Sequence, residues 1–222
     1  MGYYLAGFDV IGVDLKPQKQ YPFPICRRES LSVLSDDRLL AEVDLIHASP
    51  PCQSETPLRH ATGRVYDDLL TPTLALLSRI RKPWIVENVE STLKMSGAIT
   101  LCGTHFNLGA SGRVLKRHRK FLSNHRLPDP GPCWCADKLV GGVYGALTGG
   151  PMKRGWKFSP DEARIAMGID WMSRKGLALA IPPDYTRWVA EQFIGTVLPM
   201  VPSRDNRHDW FSSGRIERFA RL

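Results

Sequence analysis

The sequence predicts an α/β protein built around a mostly parallel sheet. Short β-branched segments alternate with a segment of helical periodicity, which is typical of this fold class. Three segments have the composition of strands, at residues 8–14, 43–48 and 83–89. Because ligands of open α/β sheets bind beyond the carboxyl ends of the strands, the residues at those ends matter most. Asp14, Cys52 and Glu87 all stand there, so we expect them at one edge of the sheet.

The first half of the chain supplies these strands and one helix. Residues 8–14 are rich in Val and Ile and end in an acid, and residues 43–48 form an apolar run before a proline-rich loop. Residues 71–81 carry leucines and an isoleucine at helical spacing, which predicts a helix before the third strand.

The second half changes character. Residues 128–155 are rich in Gly and Pro, which predicts irregular loop or a small subdomain rather than sheet. Ser159 then precedes Pro160 and Glu162, the pattern of a capped helix start, and residues 186–198 carry a further apolar stripe. The tail that follows is polar and basic, so we expect it to be loosely ordered.

Composition limits the classes of protein to consider. The 222 residues suit one domain with a small appendage, and a monomer is the simplest expectation. No run approaches the roughly 20 apolar residues that cross a bilayer, and the start lacks an export signal, so we expect a cytoplasmic protein without a membrane partner. The net charge of +8 suits nucleic acid, because Lys and Arg displace counterions from phosphates.

Five cysteines at irregular spacing indicate free thiols. Cys52 follows a predicted buried strand within a loop that contains two prolines and a Gln. A thiol attacks only as thiolate, and a stiff loop at a strand end would present it to a substrate. The alternative is a buried structural cysteine, which the prolines and the Gln disfavour. We therefore predict a nucleophile.

Two carboxylates and a basic cluster accompany it. Glu87 lies among apolar residues, where burial would raise its pKa, although a helix-cap or ion-pair role is the alternative. Asp14 ends the first strand, where an acid commonly hydrogen-bonds ribose. Residues 116–120 are basic, either as a solvated face or as phosphate contacts; alternation could also direct Arg117 and Arg119 inward with His118 outward.

His125, Cys133 and Cys135 suggest a zinc site only weakly. Their spacing is unusual, a fourth ligand is lacking and Cys102 is distant in sequence, so we predict no metal.

Six stretches, in order, resemble motifs of the cytosine-C5 DNA methyltransferase family, particularly its compact phage-like members. They are residues 2–14, 50–53, 87–89, 117–119, 162–168 and 180–186, so the resemblance covers most of the chain up to about residue 198. Each motif alone is weak, but their order is specific.

The resemblance implies a Rossmann-like S-adenosylmethionine-dependent sheet and methylation of cytosine in double-stranded DNA, of the restriction–modification kind. Cys52 would add to C6 of a flipped cytosine, and Glu87 would engage N3 and the exocyclic amine. Arg119 would hold O2, and Arg117 would support the loop or a phosphate. The methyl donor would contact Asp14, Glu29, Leu15 and Pro50, although the family usually has Asp where Glu29 stands. Further substrate contacts would come from Gln53, Asn88 and Lys116.

The chain also departs from the family. Family members have a first strand and a glycine loop before the stretch that matches residues 2–14. We therefore expect a sheet without that strand and loop, and impaired donor binding. The expected division is a catalytic core (1–127), a small irregular target-recognition region (128–158), C-terminal helices (159–198) and a basic tail (199–222). An inactive DNA-binding remnant and an RNA cytosine-C5 methyltransferase are the alternatives.

Overall fold

The strands form three sheets in the computed structural model, which describes residues 1–52, 66–145, 147–152 and 155–194. The strands are β1 (Gly12–Val13), β2 (Ile25–Cys26), β3 (Ile46–Ala48), β4 (Trp84–Val89), β5 (Ile99–Leu101), β6 (Gly109–Ala110), β7 (Arg113–Leu115), β8 (Arg119–Ser123), β9 (Val140–Gly142), β10 (Gly150–Pro151) and β11 (Trp156–Lys157). The α-helices are α1 (Gly2–Leu5), α2 (Ser30–Leu34), α3 (Asp37–Ala41), α4 (Leu70–Leu77), α5 (Pro160–Met167), α6 (Arg174–Leu179) and α7 (Pro183–Glu191).

A four-stranded sheet in the order β3-β4-β8-β5 forms the centre of the fold. β3 and β4 are parallel, whereas β8 is antiparallel to both β4 and β5. The sheet is therefore mixed, and the prediction of mostly parallel strands holds only for its β3–β4 half. The carboxyl ends of β3 and β4 and the amino end of β8 consequently share one edge.

The two faces of this sheet are covered by helices. Strand β4 alternates, with Trp84 and Val86 in one apolar cluster and Ile85 in another. Helix α4 packs its buried leucines into the first cluster, and α7 packs Tyr185 and Val189 into the second. The structure thus has helices on both faces of its central sheet, which is typical of the predicted α/β class.

The five-stranded sheet, in the order β10-β11-β9-β7-β6, includes part of the Gly- and Pro-rich region. Residues 128–139 contain only a short 3₁₀ turn at Cys135–Asp137, as the composition predicted. The expectation that residues 128–155 contain no sheet is wrong for β9 and β10. Strand β9 pairs in parallel with β7 and β11. Glycine suits β9, since a Cβ on Gly141 would meet the Phe158 ring at 2.1 Å.

Strands β1 and β2 form a separate parallel pair. Neither is hydrogen-bonded to the other two sheets within the described residues, and the predicted strand at 8–14 is reduced to Gly12–Val13. The predicted absence of a first strand and glycine loop stays a prediction. The described helices include none with the length and apolarity needed to span a membrane.

The late helices match their sequence signals. Ser159 accepts a hydrogen bond from the Glu162 backbone N–H, and the Glu162 carboxylate accepts one from the Ser159 N–H, which confirms the predicted capped start of α5. Helix α7 begins at Pro183, earlier than the predicted residue 186, because a proline fits the first helical turn. Residues 195–222, including the end of the predicted helix and the tail, lie outside the described residues.

Candidate active site

The nucleophile candidate and the buried carboxylate lie at the same edge of the central sheet. Cys52 follows the end of β3 by four residues, and Glu87 stands near the carboxyl end of β4. The parallel register of the two strands, in which Ala48 pairs with Val86, brings these ends side by side. Cys52 is half-buried and Glu87 is only 7% exposed.

Glu87 and Arg119 form an ion pair across β4 and β8. Val89 pairs with Arg119 and Glu87 with Phe121, so Glu87 and Arg119 are diagonal neighbours on one face. The Arg119 Nε lies 3.0 Å from the Glu87 Oε1. The strand pairing therefore places a guanidinium beside the carboxylate without help from a loop.

The pKa values of the site reflect burial more than charge. Burial raises the pKa of Glu87, although Arg119, a hydrogen bond from Ser49 and Arg117 oppose the shift. Burial likewise raises the pKa of the Cys52 thiol, with Arg119 lowering it and Glu87 raising it. Cys52 is thus a thiol at neutral pH that needs assistance to ionise, and Glu87 is more easily protonated than an exposed glutamate.

A chain of hydrogen bonds reaches Glu87 from β3, on the side of β4 opposite to β8 and Arg119. The Tyr3 hydroxyl lies 2.6 Å from His47 Nδ1, and His47 Nε2 lies 3.1 Å from the Ser49 hydroxyl, which hydrogen-bonds Glu87. Burial lowers the pKa of His47 to about 4 and raises that of Tyr3, so the neutral ring accepts from Tyr3 and donates to Ser49. Sequence reasoning missed His47, whose signal is its position two residues before Ser49 on the same strand face.

Arg117 supports the site from within the protein. Its guanidinium donates to the backbone carbonyls of Val143, Ala178 and Ala180, and it is only 5% exposed. The Tyr185 hydroxyl in turn donates to the Arg117 carbonyl at 2.7 Å. Burial lowers the pKa of Arg117 to about 9. Of the two roles considered for Arg117, these contacts favour loop support over phosphate binding.

The expected substrate contacts have different environments. Asn88 is 2% exposed and its amide donates to the Pro50 carbonyl at 3.2 Å, which ties β4 to the loop that carries Cys52. Lys116 is exposed just before Arg117. Gln53 lies outside the described residues. The substrate roles of these three residues stay predictions.

The residues expected to bind the methyl donor, Asp14, Leu15 and Glu29, have different local contacts. The Asp14 carboxylate, at the end of β1, accepts from the Lys16 N–H and the Gln18 amide, and the neighbouring Leu15 is 64% exposed. Glu29 accepts from the Leu31 and Ser32 N–H groups and so caps α2 with both of its oxygens. Asp14 and Leu15 present an acid and an apolar surface together, whereas Glu29 is engaged by its own helix.

Cys133 and Cys135 approach His118 rather than His125. Their Sγ atoms each lie 3.4 Å from His118 Nε2, and Cys102 joins the same group. His118, expected to face outward, is therefore turned toward the cysteines. The His125 ring instead packs on Phe193.

Comparison with known proteins identifies the fold. No protein-family model matches the chain, and no curated protein matches it in sequence. A crystal structure of a triple mutant of DNMT2 from Spodoptera frugiperda superposes with a TM-score of 0.55 at 12% sequence identity, over 86% of this chain and 94% of that chain. The chain therefore has a mixed α/β, Rossmann-like fold similar to that of DNMT2.

Proposed function

We propose that this protein methylates C5 of cytosine in DNA, with Cys52 as the nucleophile. The observation that carries the proposal is the convergence of Cys52, Glu87 and Arg119 at one edge of a methyltransferase-type sheet. Two of these groups are held by strand pairing, which gives the pre-organised geometry that catalysis needs. The similarity to DNMT2, a cytosine-5 methyltransferase, supports the same chemistry.

The reaction begins at C6 of the base, because C5 of cytosine is too weak a nucleophile by itself. The Cys52 thiolate adds to C6 and makes C5 enamine-like. S-adenosylmethionine supplies the methyl group that C5 accepts. Loss of the C5 proton then expels the Cys52 thiolate and restores the aromatic ring.

Glu87 and Arg119 stabilise the charge that develops on the ring. Because burial raises its pKa, Glu87 takes up a proton more readily than an exposed glutamate, and in that protonated form it would donate to N3 and accept from the exocyclic amine of cytosine. Arg119 would donate to O2. The base must leave the duplex to reach these groups, at a cost of a few kcal/mol that the pocket contacts offset.

Asp14 and Leu15 fit the methyl donor in part. The Asp14 carboxylate would accept from ribose hydroxyls, and the exposed Leu15 would cover one face of the adenine ring. Glu29 does not fit without releasing the N-terminus of α2. We therefore propose S-adenosylmethionine as cofactor, bound through Asp14, Leu15 and Pro50.

Labelled S-adenosylmethionine and duplex DNA test the proposal directly. The wild-type chain should label DNA and Cys52→Ala should not. Cys26→Ala should behave as the wild type, because the Cys26 side chain is buried in β2 and is not among the groups proposed to contact cytosine or the methyl donor. DNA containing 5-fluorocytosine should trap a covalent adduct, since fluorine cannot leave C5 as a proton does.

The order of the phage-like motifs favours DNA, and RNA of the same sequence serves as the competing substrate. Label that enters RNA but not DNA would replace the proposed substrate with RNA. DNA binding without label or adduct would instead identify an inactive DNA-binding remnant.

A further inference from the structure

Three cysteines and one histidine gather beside the candidate active site. Cys102 follows β5, His118 precedes β8, and Cys133 and Cys135 lie in the Gly- and Pro-rich region. Their four possible ligand atoms all lie within 4.8 Å of one another. Cys102 and Cys135 are buried and the other two are half-buried, and all five cysteines of the chain are free thiols.

The distances within this cluster match a tetrahedral site. The Cys133 and Cys135 Sγ atoms are 3.5 Å apart, and each lies 3.4 Å from His118 Nε2. Zinc bonds of about 2.3 Å to sulfur and 2.0 Å to nitrogen, at tetrahedral angles, separate ligand atoms by roughly 3.5 to 3.8 Å. One ion would therefore fit these three ligands with shifts of a few tenths of an ångström, and the Cys102 Sγ, within 4.8 Å of the other three ligand atoms, would move inward to complete the tetrahedron.

The groups around the cluster orient its ligands as in metal sites. His118 Nδ1 lies 2.8 Å from the Glu90 carboxylate, which directs Nε2 toward the sulfurs. A carboxylate on the far nitrogen of a histidine is the usual outer partner of a zinc ligand. Thr104 hydrogen-bonds Cys102 through both its backbone and its side chain.

We propose that Cys102, His118, Cys133 and Cys135 form a structural zinc site. Four protein ligands leave no position open for water, and three thiolates with one imidazole select zinc over Mg²⁺ or Ca²⁺. The prediction of no metal relied on a missing fourth ligand, and the fold supplies both Cys102 and His118. This proposal does not depend on the proposed methyl transfer.

The site would connect two functional parts of the protein. His118 stands between two arginines with different contacts. The Arg117 side chain supports the loops, and the Arg119 side chain pairs with Glu87. Cys133 and Cys135 belong to the predicted target-recognition region. Zinc would therefore anchor that region directly to the main chain that carries Arg119.

Metal content and cobalt spectroscopy test the site without an activity assay. The full chain, purified under reducing conditions from zinc-supplemented medium, should contain one zinc per molecule. Replacement by Co²⁺ should give thiolate-to-cobalt charge-transfer bands and the intense d–d bands of tetrahedral coordination. Substoichiometric zinc after reconstitution, cobalt spectra without these bands, or a Cys133–Cys135 disulfide under those conditions would overturn the proposal.

Matched cysteine variants locate the ion. Cys133→Ser should lose most of the zinc, because it removes one of the four proposed ligands. Cys26→Ser and Cys52→Ser should keep the zinc, because neither residue belongs to the cluster. Equal retention by Cys133→Ser and Cys26→Ser would contradict the ligand set.

If Cys133→Ser fails to fold, Glu90→Gln provides the second test. Glu90 is not a ligand and its side chain is 60% exposed, so the fold should survive. The variant should bind zinc about 10- to 100-fold more weakly in chelator competition. Unchanged affinity would contradict the orientation of His118 by Glu90.

Discussion

Cys52, Glu87 and Arg119 influence one another's ionisation at the residue scale. Glu87 raises the pKa of Cys52, Arg119 lowers it, and burial sets the overall upward direction. Because the thiolate is the reactive form, the two charged neighbours should have opposite effects on the nucleophile. Burial therefore favours the protonated form of Cys52 in the free protein, and the proposed attack needs this thiol to ionise.

Replacing either neighbour should shift the reactivity of Cys52 in a predictable direction. Glu87→Gln removes a negative charge, which lowers the pKa of Cys52 and raises its thiolate fraction at any pH below that pKa. Arg119→Met removes a positive charge and should do the reverse. Alkylation by neutral iodoacetamide, followed at the Cys52 peptide by mass spectrometry across pH, should therefore be severalfold faster in the first variant and slower in the second. Shifts in the same direction would contradict this electrostatic coupling.

Arg117 should matter more for stability than for direct contact with substrate. Arg117→Met removes the donor to one buried and two partly buried backbone carbonyls, so the free energy of unfolding should fall by about 2 to 4 kcal/mol. Urea denaturation measures the change. Arg79→Met, at an exposed position, should change stability by less than about 0.5 kcal/mol. Equal stability of the two variants would contradict the role of the carbonyl contacts.

The sequence predicted the residues whose chemistry is local and missed those that depend on the fold. Cys52 and Glu87 stand at strand ends, so periodicity and turn residues were enough to locate them. His118 and Cys102 appear unrelated to Cys133 and Cys135 along the chain, and only the β5–β8 pairing brings the elements next to them together. Glu29 shows the same limit of local sequence reasoning, since an acid before a helix serves equally well as an N-cap, and its predicted role toward the methyl donor stays a prediction.

Element boundaries show the same division between local and long-range effects. Strand β4 matches its predicted range because it is buried and paired on both sides, by β3 and by β8. The predicted strand at 8–14 is reduced to two residues because β1 pairs, among the described residues, only with the equally short β2. Periodicity indicates that a segment is extended, whereas the length of a strand depends on its partners.

The start of α5 offers a test at the element scale. Hydrogen bonds from the Ser159 N–H and the Ser111 hydroxyl lower the pKa of Glu162. A carboxyl whose pKa is lower in the folded state stabilises the protein above its unfolded pKa, and this contribution is lost as the pH falls through the folded value. Glu162→Gln should therefore be less stable than the wild type at pH 7, and the difference should shrink below about pH 4.

Urea denaturation at both pH values measures this effect. Ser159→Ala, which removes the other half of the capping box, should cost about 1 kcal/mol at pH 7. Glu42→Gln, at an exposed acid outside α5, should stay within about 0.5 kcal/mol of the wild type. A pH-independent loss in Glu162→Gln would show that packing, rather than the ionised cap, stabilises the start of α5.

At the scale of the whole molecule, the chemistry is concentrated on one edge of the central sheet. Three features adjoin the carboxyl end of β4: the loop that carries Cys52, the Glu87–Arg119 pair and the proposed zinc cluster. The proposed zinc would connect this edge, through metal–ligand bonds, to the Gly- and Pro-rich region, whose strands are short. The net charge of +8 would help the proposed DNA substrate to approach this edge, which a flipped base would have to enter.

Lys116 should contribute to this attraction as a phosphate contact. It is exposed next to Arg117 at the catalytic edge, whereas Arg79 is exposed in the connection that enters β4 at the opposite end. Both alanine variants reduce the formal charge by one, so a general electrostatic effect would weaken DNA binding equally. We expect only Lys116→Ala to reduce the slope of log K against log salt concentration, by about 0.9, and to weaken binding similarly for unrelated duplex sequences. Fluorescence anisotropy over a salt series measures both slopes, and identical slopes for the two variants would contradict a localised DNA-binding edge.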